Sequence, residues 1–153
     1  MKIAIIGTGN VGGALATKWA NKGHRILLGV RDTQNFKGKN LLNNPNTSVH
    51  PIQEAVAEAE VILVSTPAAL AVTVAQSLGD TTGKVIIDAM NIVMGRGPAG
   101  YTNTADALFA HTQTRDVVKC FNTTGYNNMQ NPVYGDMALD LFVAGDSTQG
   151  KAI

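Results

Sequence analysis

The chain has a single cysteine in 153 residues, Cys120, so no disulfide framework can form within it. Cys120 lies in the apolar run VVKCF and reads as a small buried hydrophobe, and a reducing compartment is expected. Charge is scarce too: Asp, Glu, Lys and Arg make up 15% of the chain, below the usual share of about a quarter. With 12 basic and 11 acidic residues the net charge is +1, and no long run of like charge occurs. That balance argues against nucleic acid and against an anionic membrane surface as partners. The low charge also suggests that part of the surface is covered by a second subunit. The N-terminal apolar run is interrupted by Gly7 and Gly9, and no stretch approaches the roughly 20 apolar residues that span a bilayer. A soluble cytoplasmic protein, with no membrane segment in this chain, is the expectation. His24, His50 and His111 are isolated and lack metal-ligand spacing, so no metal site is expected. No nucleophile-elbow motif occurs, and Cys120 does not sit at an electropositive helix start.

What is present is an alternation. Ile3 to Ile6, Arg25 to Leu28, Val61 to Val64, Val85 to Ile87, Val117 to Phe121 and Leu139 to Val143 are continuous apolar runs, the pattern of strands buried on both faces. Helical patterns lie between them. Val11, Leu15, Lys18 and Trp19 form a stripe stopped near Gly23; Leu70, Val74 and Leu78 form another, entered through Pro67 and closed by Gly79. Ala105, Leu108 and Phe109 mark a third, capped by Asn103 or Thr104, and Ile52 to Glu58 a short fourth. No repeat and no linker is visible. The expectation is one α/β domain over residues 1–153, a Rossmann-type doubly wound, mostly parallel sheet with helices on both faces.

In GTGNVG, Gly7, Gly9 and Gly12 follow a buried strand and open a helix, the context that the dinucleotide fingerprint requires. Gly7 permits the tight turn, Gly9 admits a pyrophosphate to the backbone, and Gly12 lets the helix pack close to the strand. Free N–H groups and the positive dipole end of that helix favour an anion. Tight helix packing alone explains Gly12 but not Gly9.

The second strand, RILLGVRD, selects the dinucleotide. NAD sites usually carry a carboxylate at the strand end, whereas this slot holds Gly29 or Val30, followed by Arg31. A guanidinium in place of a carboxylate favours the 2′-phosphate of NADP(H), with Lys37 and Lys39 as further contacts. The plain alternative is a solvated Arg31 paired with Asp32. Beyond the other strand ends lie Ser65-Thr66-Pro67, Ala89-Met90-Asn91 and Asn122-Thr123-Thr124, which topology gathers at one crevice. Long connections follow two of them, Asn91 to Asn103 and Asn122 to Asp136, and such loops at a ligand edge suit a substrate pocket. Arg96 is positioned in sequence to meet an anionic group; Tyr101, Tyr126 or Tyr134 could stack on a flat ring. Asp88 reads either as a base or as a turn residue. A hydride-transfer site that positions two rings, with no catalytic side chain, is expected.

The segments GTGNVGGALATKWANKGH, LLGVRD, VILVSTP, VIIDAMN, VVKCFNTTG and LFVAGD, in that order, resemble the NADP oxidoreductase family dependent on the deazaflavin coenzyme F-420. They are also similar to the cytosolic domain of six-transmembrane metalloreductases. The resemblance implies that Thr8, Asn10 and Val11 meet the phosphates, that Arg31 meets the 2′-phosphate, and that Pro67 and Asn91 lie on the nicotinamide side. Thr123 and Thr124 would then lie near the acceptor; by strand-end topology Ser65 and Thr66 are expected at the cofactor site, and Met90, Arg96 and Asn122 with Thr123 and Thr124 in the substrate pocket. It further implies a deazaflavin or flavin as co-substrate, a small-molecule acceptor, and a homodimer. The chain departs from the family in the polar, barely periodic segment QNFKGKNLLNNPNTS and in IVMGRGPAG after the DAMN motif. It stops at GDSTQGKAI, where Asp146 or Ser147 starts a helix, so a C-terminal continuation is expected to be lacking. Two other functions stay open: a dinucleotide-binding or sensing module without catalysis, and an imine reductase of the pyrroline-carboxylate type.

Overall fold

The computed structural model describes all 153 residues. Strands β1 (Lys2–Ile6), β2 (Arg25–Val30), β3 (Thr47–Pro51), β4 (Val61–Val64), β5 (Val85–Asp88) and β6 (Val117–Lys119) form one parallel sheet in the order β3-β2-β1-β4-β5-β6. The order reverses between β1 and β4, the switch point of a doubly wound α/β fold. Alternate residues of each strand enter opposite cores. Ile3, Ile5, Leu28, Leu63 and Val118 pack on one face with Leu15 and Met129 from helices α1 (Asn10–Asn21) and α5 (Tyr126–Gln130). Ala4, Ile6, Leu27, Ile62 and Ile86 pack on the other with Val56, Ala75 and Leu108. Those three come from α2 (Ile52–Glu58), α3 (Ala71–Ser77) and α4 (Thr104–His111). Burial on both faces is the reason these runs are continuously apolar.

The buried face of α1 consists of Gly12, Ala14, Leu15, Ala16 and Ala20, with Val11 and Trp19 at its margin; Lys18, expected in the stripe, is solvent-exposed. Small residues rather than long ones bring this helix onto the sheet. The cap of α4 is Asn103, whose side chain accepts from the Asp106 N–H.

Three further elements differ from expectation. Strand β3 arises from the polar stretch TSVHP and pairs with β2 alone; as a half-exposed edge strand it lacks the continuous apolar signature. β6 ends at Lys119 because Phe121 takes a left-handed φ of 63°, which no extended strand accommodates. Leu139–Val143 is not a strand: its large side chains are exposed, and only Ala144 bridges Lys119, antiparallel, through bonds of 2.8 and 2.9 Å. Gly145 follows with a φ of +152°, and a Cβ there would lie 2.9 Å from the Val117 carbonyl oxygen, so the backbone passes tightly against β6 at this point. Before it, β7 (Val133–Tyr134) and β8 (Met137–Ala138) make an exposed hairpin. The chain closes with α6 (Thr148–Ala152), capped by Ser147, which accepts from the Gly150 N–H at 2.7 Å. No helix is long and apolar enough to cross a membrane.

Candidate functional site

At the C-terminal ends of β1, β2 and β4 a cleft of about 730 Å³ opens, lined by Gly7, Thr8, Gly9, Arg31, Lys37, Thr66 and Pro67 among others. Its floor is the glycine turn. Gly7 has a φ of +104° and lies so close to β4 that a Cβ would sit 2.7 Å from the Ser65 carbonyl oxygen. At Gly12 a Cβ would fall 1.9 Å from the Gly7 carbonyl oxygen, so this glycine exists to let α1 approach the turn. Gly9 is different: nothing lies within 4 Å of where its Cβ would be, and its φ of −75° suits any residue. No neighbour in the chain explains the missing side chain. Gly9 also caps α1 with no side-chain bond, leaving the helix-end N–H groups free to meet an anion. The protein therefore presents the cradle that a pyrophosphate requires.

The last residues of β2 carry no carboxylate. Gly29 is pressed against Ile6 and Ala55, and Val30 is buried. Asp32 does line the cleft, but its Oδ1 accepts from the Gln34 and Asn35 N–H groups at 2.8 and 3.1 Å, and it forms no ion pair with Arg31. Arg31 is exposed and faces the cleft with Lys37; Lys39 lies outside the lining. The Thr8 hydroxyl donates to the Lys37 carbonyl, tying the glycine turn to the loop after β2. Ser65 donates to the Gly7 carbonyl at 2.8 Å and so braces the turn instead of facing the cleft. Asn10, Val11 and Gly12 also lie outside the lining, in the first turn of α1.

The residues beyond β5 and β6 form a second group, apart from that cleft. Met90 is buried in the core, where its sulfur accepts from the Thr66 hydroxyl at 3.4 Å. Asn91 is exposed and donates through Nδ2 to the Asn122 carbonyl at 2.8 Å, linking the two long connections. Thr123 is exposed, and Thr124 accepts from the Asn128 amide. Arg96 is exposed on its loop. Tyr101 is held at 2.9 Å from His111 Nε2 and packs on the core, which removes it from the stacking candidates; Tyr126 and Tyr134 remain exposed.

The sequence reading missed Lys119. Its Nζ donates to Asp88 Oδ2 at 2.9 Å, to the Met90 carbonyl at 2.7 Å and to Thr104 Oγ1 at 2.9 Å. Asp88 is fully buried; its Oδ1 accepts from the Met90 N–H at 2.9 Å, and its Oδ2 also accepts from Thr104 Oγ1 at 2.6 Å. This engagement answers the question left open at Asp88: it is an anchoring group, not a free base. The available signal was a lysine inside an otherwise apolar strand.

The switch-point cleft, the glycine turn and the cationic β2 end define a dinucleotide-binding protein of the Rossmann class. Residues 2–92 match the family described as NADP oxidoreductase coenzyme F420-dependent, and the chain belongs to that family of NADP-dependent oxidoreductases. No curated protein matches the chain. Among solved structures, it is similar to a putative F420-dependent NADP-reductase from Arthrobacter sp. FB24, with 26% identity and a TM-score of 0.79 over 99% of this chain and 76% of that one. It also resembles a hypothetical protein from Sinorhizobium meliloti, with 20% identity and a TM-score of 0.82 over 99% and 77% of the two chains. Pyrroline carboxylate reductase from Plasmodium falciparum, solved with NADP bound, shares the fold at 15% identity and a TM-score of 0.55, over 78% of this chain and 41% of that one.

Proposed function

We propose that this oxidoreductase binds NADP(H) in the switch-point cleft and exchanges hydride with a flat deazaflavin or flavin-like acceptor. The observation that carries the cofactor reading is Gly9, whose open Cβ position and uncapped helix leave room and N–H donors for a pyrophosphate. Arg31 and Lys37 would hold a 2′-phosphate, and Thr66 and Pro67, just beyond β4, flank the same cleft. The cofactor supplies the hydride; the chain's part is to bind and orient. Asp88, the acid nearest the β5 end, is already engaged by three donors and is not free to relay a proton. Positioning is thus the main contribution of the protein. The acceptor would lie over the ends of β5 and β6, between Asn91, Arg96, Asn122, Thr123 and Thr124. The free, buried Cys120 fits a reducing, cytoplasmic setting.

The deciding experiment is anaerobic: mix protein, NADPH and oxidised deazaflavin coenzyme, and follow the deazaflavin absorbance. Protein-dependent loss of absorbance supports the assignment. NADPH binding without turnover of the deazaflavin, a flavin or a small cyclic imine would favour a binding module, whereas turnover of the imine alone would move the function to imine reduction.

A further inference from the structure

We propose that Lys119 is a positioning residue of the nicotinamide half of the site, fastening both ends of the connection between β5 and α4 with one ammonium group. The proposal rests on the cofactor reading above. Asp88 and Lys119 are the terminal residues of neighbouring strands and stand in register. A lysine ammonium has three N–H donors and no acceptor, and all three are engaged: by the Asp88 carboxylate, by the Met90 carbonyl at the start of the connection, and by Thr104 at its far end. Met90 is further held through its N–H by Asp88 and through its sulfur by Thr66 at the end of β4. One cluster therefore ties the ends of β4, β5 and β6 to the first turn of α4.

A simple ion pair would need only the Asp88 contact. Buried pairs contribute little to stability compared with apolar packing of the same volume, which leaves their geometric role to be explained. Here the ammonium reaches beyond its counter-ion to the backbone immediately before Asn91, the residue that crosses to the Asn122 carbonyl. The glycine turn lies at the switch point between the halves of the sheet, so a dinucleotide with its 2′-phosphate near Arg31 extends its other half over β4 and β5. β2 and β5 are three strand spacings apart, about 14 Å. Disturbing the cluster should loosen the nicotinamide half and leave the adenosine half as it was.

The test compares NADPH with 2′,5′-ADP, which carries the adenosine half alone. Titration of Lys119→Met and Thr104→Val should show NADPH weakened about fivefold or more, the factor that one lost hydrogen bond commands. The affinity for 2′,5′-ADP should stay unchanged, and Thr104→Ser should restore NADPH. Trypsin gives an independent readout, because Arg96 is the only lysine or arginine between Lys84 and Arg115. Cleavage after Arg96 should be faster in both variants. Should Lys119→Met fail to fold with Asp88 left unpaired, Thr104→Val, which keeps the ion pair, decides alone. Equal weakening of both ligands, or no change in either, overturns the proposal. A wild-type chain that binds neither ligand overturns the cofactor reading, and the proposal with it.

Discussion

Gly9 and Gly12 stand three residues apart in one motif yet lack side chains for opposite reasons. At Gly12 a methyl group would collide with the Gly7 carbonyl oxygen at 1.9 Å and with the Ser65 hydroxyl at 2.5 Å, so the constraint is internal. Gly12→Ala should lower unfolding stability by about 1–3 kcal/mol, the range for overpacking a tight contact. At Gly9 the methyl group would meet nothing. Gly9→Ala should therefore cost only about 1 kcal/mol or less, the loss of a favourable N-cap residue, while weakening NADPH about tenfold or more. Chemical denaturation beside fluorescence titration separates the two, and a Gly9→Ala variant that unfolds as easily as Gly12→Ala would remove the argument for an external ligand. Arg31 supplies a charge-selective counterpart. It is exposed and faces the cleft with no acid paired to it. Arg31→Ala should weaken NADPH by about tenfold to a hundredfold, the worth of a charge-assisted hydrogen bond. NADH should be little affected; equal loss for both nucleotides would place Arg31 away from the 2′-phosphate.

At the scale of elements, β6 and the turn after it carry the next prediction. Burial pushes the Cys120 thiol above its ordinary value of 9.0, against a smaller opposing effect of the Phe121 backbone bond. Because the folded pKa exceeds the unfolded one, this contribution to stability is complete below about pH 9 and is lost as pH rises toward the folded value. The folded chain should react slowly with thiol reagents at pH 8, and Cys120→Ala should flatten the fall in stability above pH 9. The same region shows what sequence can convey. Ile3, Ile62 and Ile86 are legible because strands covered on both faces must be apolar at every position, and Gly7 and Gly12 are legible because a turn and a close packing contact each demand glycine there. Thr47–Pro51 escaped because an edge strand needs only half that burial. Leu139–Val143 misled because an apolar run says that a segment seeks cover, not that this chain provides it. A lysine in an apolar strand marks Lys119, but its role is not legible, because it depends on Asp88 and Thr104, which only the folded sheet brings to it. Met90 was read as a lining residue, yet the turn after β5 sends its side chain down into the core.

For the whole molecule, the exposed apolar surface calls for an explanation. Val133, Tyr134, Met137, Leu141, Phe142 and Val143 are each at least 41% exposed and fall within one short stretch of chain after β6. Scattered apolar side chains are normal on a surface, whereas six within eleven consecutive residues call for cover. The stretch carries Asp136 and Asp140 at its rim and no basic residue. We propose that a second copy of the chain covers this face, which also accounts for the low charge content. An interface of this kind buries about 1,200–2,000 Å² in total, and Phe142, 66% exposed, is positioned to contribute strongly to it. Light scattering after size exclusion should return twice the monomer mass for wild type and the monomer mass for Phe142→Asp. Thermal stability of the isolated monomer should change little, since an exposed side chain leaves no cavity behind. A wild-type chain that stays monomeric at high micromolar concentration would leave these side chains to another partner and sever the link between the exposed apolar stretch and self-association.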